Sequence, residues 1–272
     1  MMRVGQIFIG IVGLLACVGG VQSASPAVSE DPLVGTVADE DAYPPLGHLV
    51  RRVNYFRDDK MVGERIFYKN GNVASERLFK DGKLDGKERL FYESGKLFSD
   101  RVYVAGKLDG DVHFFKEDGE LFGVSKLAKG TGVLRQFGLL SLALSKSELP
   151  YKDGVLDGTK KLWSNFSGGR GIGCSISQYV NGLNEGWCVT FNEDGSLLES
   201  GYLHEGQGHS VMREYADGGK MALGYPQYRI KGKRVTEDEY REAAKTDRIL
   251  AKTFDGDEEG VAWARKETET KW

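Results

Sequence analysis

Three stretches of this chain hold residue types that could do chemistry. His204-Glu205-Gly206-Gln207-Gly208-His209 sets two imidazoles around a glutamate, as a zinc-protease helix does. That chemistry needs histidines four apart on one helical face; here they are five apart, and two glycines make the stretch a turn. Ser167-Gly168-Gly169-Arg170-Gly171-Ile172-Gly173 could cradle a phosphate. A phosphate loop runs into a helix N-terminus, whereas Cys174-Ser175-Ile176-Ser177 reads as a strand, so the stretch is a hairpin tip. Asp255-Gly256-Asp257-Glu258-Glu259-Gly260 has the acidic spacing of a calcium loop, but its twelfth place is Lys266, where a bidentate glutamate belongs. No serine or cysteine lies in a nucleophile motif, and His48 and His113 stand apart from the other histidines. The residues thus predict no catalytic centre, no metal site and no cofactor.

The cysteines carry the remaining chemistry. Cys174 and Cys188 flank Asn181-Gly182 almost symmetrically. If that pair is a hairpin turn, the two strands bring the cysteines opposite or one step apart, within reach of disulfide geometry. A cross-strand Cys174–Cys188 disulfide is the expectation, with two buried free thiols as the alternative. Two thiols alone cannot fill a tetrahedral zinc shell. The third cysteine, Cys17, belongs to the N-terminus. Arg3 and the apolar run from Ile7 to Ala16 read as an export signal, too short to span a bilayer as a mature helix. Two cleavage readings compete, with an uncleaved anchor as the third alternative. Leu14-Leu15-Ala16-Cys17 resembles a lipobox, which makes Cys17 a lipidation site; otherwise Val21 and Ser23 mark a cleavage after Ser23. Export places the protein in the periplasm, the outer envelope or the medium, where disulfides persist.

The elements that position these residues are short. Glycine is 37 of 272 residues, about twice the usual ~7%, and proline is scarce, which points to many tight turns. The net charge of −3 gives no support for a nucleic-acid partner. Residues 1–23 form the signal. Residues 24–47, with Pro26, Pro32, Pro44 and Pro45 among acidic residues, read as a flexible linker.

Residues 48–225 repeat themselves with a period of about 24. Lys80-Asp81-Gly82-Lys83-Leu84-Asp85-Gly86 returns around Gly106, Gly154 and Gly182: a glycine, an apolar residue two later, a second glycine four later. Asp58-Asp59-Lys60-Met61-Val62-Gly63 is a weaker copy. A second turn follows each, at Asn70-Gly71, Ser94-Gly95, Asp118-Gly119, Asp194-Gly195 and Asp217-Gly218. Between turns stand β-like segments such as Arg65-Ile66-Phe67-Tyr68 and Arg89-Leu90-Phe91-Tyr92. The pattern predicts a mainly β fold: an elongated antiparallel meander of tandem hairpins. Gly138 to Leu144 replaces one second turn with an apolar tip, read as buried against a neighbour or as a docking tip. Residues 226–251 form a strand and helix cap, with Thr236 as N-cap and Glu239 reaching back. Residues 252–272 read as a loose charged tail.

These residues resemble the bacterial variant of the MORN repeat over about Val53 to Tyr215. The resemblance implies tandem hairpins, and it carries an antitoxin-like label for many members. The functional expectation is a non-enzymatic, exported protein-binding or scaffold module of the cell envelope. Tyr68, Tyr92, Phe115 and Trp163 are its candidate binding surface, the alternative being that these aromatics are core. The partner is another protein, with membrane contact only through a lipidated Cys17. An antitoxin-like or immunity-like partner of a toxin, and an envelope enzyme with clustered carboxylates, are the competing readings.

Overall fold

The computed structural model describes residues 33, 37–46, 49–140, 143–164, 172–216 and 218–269. All that follows belongs to the unit spanning Gly35–Trp272. Its strands, in chain order, are β1 (Val37–Leu46), β2 (Leu49–Arg57), β3 (Lys60–Tyr68), β4 (Val73–Lys80), β5 (Lys83–Phe91), β6 (Leu97–Val104) and β7 (Lys107–Leu108). Then come β8 (Gly110–Phe115), β9 (Leu121–Ala128), β10 (Thr131–Leu140), β11 (Ala143–Lys152), β12 (Val155–Leu156) and β13 (Gly158–Ser164). The last are β14 (Ile172–Val180), β15 (Leu183–Asn192), β16 (Leu197–His204), β17 (Gln207–Gly208), β18 (Val211–Glu214), β19 (Gln227–Ile230) and β20 (Lys233–Val235). Every pairing is antiparallel and joins chain neighbours, with the two-residue strands β7, β12 and β17 prolonged by the strands after them. The expected meander is therefore the fold.

The first glycine of each repeat makes the tight turn. Asn181 and Gly182 both have positive φ, 49° and 83°, the geometry that matches the twist of a two-residue hairpin. Pairs at 58–59, 81–82, 105–106, 129–130, 153–154, 205–206 and 231–232 do the same. Successive turns touch. A Cβ on Gly130 would lie 2.7 Å from the Gly154 nitrogen, so only glycine lets these two backbones meet and lets the Gly154 amide donate to the Gly130 carbonyl at 2.9 Å.

The second turn leaves a β-bulge. Leu90 pairs with Ser99 and Phe91 with Leu97, which leaves Phe98 as the extra residue; Phe122 is extra in the next hairpin. A bulge re-aims the side chain it carries, and Phe98 and Phe122 both pack on Phe114. Leu108, Val112, Phe114, Leu127 and Leu134 form the core here, with Leu149 and Tyr151 against it.

The core then changes sides. Leu134 pairs with Leu149, whereas Glu148 pairs with Lys161 and Lys161 with Ile176. Side chains alternate along a strand, so Ile176 lies on the sheet face opposite Leu134. On that face Cys174, Ile176, Trp187, Val189 and Phe191 form a second core.

Three helices follow: α1 (Glu237–Ala244), α2 (Arg248–Phe254) and α3 (Glu258–Thr268). Thr236 caps α1 in a reciprocal box with Glu239, as expected. The single cap helix is instead divided, because Asp247 caps a new start by accepting from the Ile249 and Leu250 amides. The loose tail is corrected as well. Residues 258–268 are helical, and Ala264 is fully buried in the second core. The linker expectation is likewise corrected from Val37 onward, where β1 pairs with β2 from Val37–Phe56 to Leu46–Leu49. Main-chain pairing needs no hydrophobic periodicity, so the composition gave no warning of it.

Candidate functional site: the ladder of turns and the uncovered sheet face

The acid before the second glycine of each repeat has a structural task. Asp85 accepts from the Ala105 amide at 3.0 Å, Asp109 from Lys129 at 3.0 Å, and Asp157 from Asn181 at 3.1 Å. Thr131, Glu185 and His209 fill the same slot for Asp153, Glu205 and Lys231. Each thereby satisfies the first amide of the next hairpin's turn. Tyr68 and Tyr92 add a second staple, their hydroxyls donating to the Phe91 and Phe115 carbonyls at 2.7 and 2.9 Å. Asp157→Ala should orphan the Asn181 amide and cost about 1 kcal/mol, read as a lowered urea midpoint with unchanged slope. An unchanged midpoint would remove the ladder as a source of stability.

The two histidines that mimic a zinc motif bind separate carboxylates. His204 Nδ1 lies 2.6 Å from Glu185, and His209 Nε2 lies 3.0 Å from Asp247. Among the described residues, no three His, Cys, Asp or Glu side chains gather as a metal-ligand set. The hydrogen bond that His204 donates to Glu185 raises the His204 pKa against partial burial. Burial pulls the Glu185 carboxyl upward, but the Glu205 amide and His204 outweigh it and hold it below its ordinary value. His204's contribution to stability is thus complete below pH ~6.5 and fades as pH rises through its raised folded pKa; Glu185's is complete above about 4.3 and fades as pH falls through its lowered one. In an NMR titration, Glu185→Gln should move the His204 midpoint down; no movement would show the pair to be uncoupled.

Asp257 is not a calcium ligand in waiting. It is buried and accepts from the Ser200 and Tyr215 hydroxyls, the latter at 2.9 Å. Burial, and then this carboxylate, push Tyr215 up to about 12. Cys17 and most of the glycine-rich stretch lie outside the described residues, as does the centre of the apolar tip.

The expected disulfide is corrected, and Cys174 and Cys188 are free thiols. Cys174 pairs with Phe191 and Cys188 with Ser177. Three residues of strand, about 10 Å, separate the two cysteines, and parity puts them on opposite faces. The bulge at Gly186 only widens the gap: Tyr179 faces Asn184, but Ser177 already faces Cys188, and an even ladder would have set Cys188 opposite Ser175, one step from Cys174 and still on the other face. Burial pushes both thiols up to about 11. Alkylation after denaturation should modify both equally with and without reductant; protection lifted only by reductant would restore the disulfide.

The face that α3 covers at Ile176 and Trp187 continues along the sheet, by register, through Arg135 and Val133 to Val124, His113 and Val102. There it exposes apolar side chains: Val102, Leu121, Val124 and Val133 are 37 to 48% exposed. The surface aromatics of the sequence divide around this band. Phe115 is half-buried beside His113, with ring centroids 6.2 Å apart. Trp163 packs against the core beneath α3, and Tyr68 and Tyr92 are the staples described above. The apolar band itself was missed, because valine in a strand reads equally well as core. Only the register, which sets it opposite Leu127 and Leu134, marks it as outer.

Stacked hairpins, an amide ladder between their turns and a helical cap define a tandem β-hairpin repeat protein. Within it, residues 62–81 and 84–105 match the family model of the MORN repeat variant. Comparison with curated proteins finds no match.

Proposed function

We propose that this chain is an exported, non-enzymatic repeat protein whose uncovered sheet face binds another protein of the cell envelope. The observation that carries this reading is the band of Val102, Leu121, Val124 and Val133, exposed on the face that the chain covers elsewhere with its own helix. These side chains are interleaved with Asp111, His113 and Lys126, so the face offers a protein partner apolar contacts set among charges rather than an unbroken apolar patch. Arg3 and the run from Ile7 to Ala16 support export.

Affinity capture from an envelope fraction tests the reading when the wild type is compared with a Val124→Lys/Val133→Lys variant. Both sites are exposed, so circular dichroism should be unchanged. The expected result is a partner retained by the wild type and lost by the variant. A partner held equally by both, or found only in the cytosol, overturns it. Mass spectrometry of the same sample separates lipidation at Cys17 from cleavage after Ser23.

A further inference from the structure

In most of the repeats, the slot that accepts the next turn's first amide holds a carboxylate or a hydroxyl: Asp85, Asp109, Thr131, Asp157 and Glu185. At the junction with the last hairpin it holds His209. We propose that His209 is a pH-sensitive joint between the hairpin array and its C-terminal cap.

The geometry fixes the working tautomer. His209 Nδ1 accepts the Lys231 amide hydrogen at 3.1 Å, so the ring proton sits on Nε2 and is donated to Asp247 at 3.0 Å. The imidazole is 2% exposed. It therefore joins three pieces at once: its own hairpin, the β19–β20 turn, and the N-cap of α2, where Asp247 also receives the Ile249 and Leu250 amides. A carboxylate in this slot keeps a lone pair for the amide while it is ionised. Imidazole changes charge between pH 5 and 8, and a second proton on Nδ1 leaves two N–H groups facing each other. The Lys231 amide then loses its acceptor.

The charged surroundings do not repair that loss. Asp247 faces the ring from the α2 cap, and the Glu185 carboxylate of β15 is the other acidic group near it. The His204 ring of β16 lies 5.6 Å away and opposes the cation once charged, with Glu205 beside His204 and Lys231 across the slot. None of these offers the Lys231 amide a substitute. Protonation releases the β19–β20 turn, and with it the cap built on Val211, Tyr228, Tyr240 and Leu250.

Hydrogen exchange on the full chain at about pH 7.5 and about pH 5.5, corrected for intrinsic amide chemistry, tests this. Peptides over residues 227–254 should lose protection at least about fivefold in acid, as expected for one buried donor left unpaired, while residues 83–128 keep theirs. His209→Gln, whose amide can accept at Oε1 and donate at Nε2, should keep the cap closed at both pH values. His204→Gln should still open in acid. Equal protection of wild-type 227–254 at both pH values overturns the proposal, as does equal opening in His209→Gln. Should that variant not fold, nitrogen NMR of the wild-type ring decides: protonation of His209 Nδ1 and loss of protection must share one midpoint, and separate midpoints overturn the joint.

Discussion

Gly260→Leu should lift α3 off the sheet and cost about 3 kcal/mol of stability. A Cβ at Gly260 would lie 2.3 and 2.4 Å from two ring carbons of Trp187. Neither can yield. The indole is 4% exposed within the core of Cys174, Ile176, Val189 and Phe191, and the Gly260 backbone is part of a helix. The same helix is tied at its far end, where Lys161, itself buried, donates to the Glu267 carbonyl at 2.9 Å and pairs with its carboxylate at 3.0 Å. Leucine therefore prises α3 from Trp187 while Lys161 still holds its end. Urea unfolding should show a lower midpoint, and tryptophan emission should move to longer wavelength as Trp187 meets water. A variant with wild-type midpoint and emission would mean that α3 does not rest on Trp187.

The second large effect belongs to Arg213. Its guanidinium is buried at 8% exposure and donates to the Thr253 and Phe254 carbonyls at 3.1 Å and to the Val211 carbonyl at 3.3 Å. Two of these are carbonyls at the C-terminal end of α2, which have no partner inside the helix and favour a cation. Arg213→Ala leaves them buried and unpaired, for an expected loss of about 3 kcal/mol. Arg213→Lys should recover little, because a single ammonium cannot fork to neighbouring carbonyls. Recovery of the wild-type midpoint by lysine would show that charge, not the fork, holds α2.

Much of the fold was legible because the repeat writes its turns in glycine. Gly82, Gly106 and Gly182 announced positive φ, and Thr236 with Glu239 announced a helix start. The function of Asp85, Asp109 and Asp157 was not legible. Their partners lie in the next hairpin, some twenty residues on, and a surface aspartate gives no sign of which amide it meets. The cysteine pairing failed for a related reason. Counting from Asn181-Gly182 leaves Cys188 opposite Ser175, one residue from Cys174, and neighbours along a strand point to opposite faces; the bulge at Gly186 then widens the gap. Residues 258–268 were hidden by composition: the charges of the tail mask a narrow stripe of Gly260, Val261 and Ala264, wide enough only for one indole and its neighbours. Of the candidate surface, Phe115 lies on the uncovered face, while the valines around it needed register to be placed.

The amide ladder runs in one direction. Asp85 serves Ala105, Asp109 serves Lys129 and Asp157 serves Asn181, so each acceptor precedes its donor in the chain. A hairpin leaving the ribosome finds its receptor already folded, and domains form N-terminal part first during synthesis. The array is thus a template that extends itself one unit at a time, with its growing end always the one in need of the other. Removing hairpins from the C-terminus leaves carboxylates that water can satisfy; removing them from the N-terminus strips the receptor from the turn that follows. Loss from the two ends is not equivalent: the first also takes away α3 and the core it closes over Trp187, whereas the second takes an acceptor from a turn amide that water also reaches.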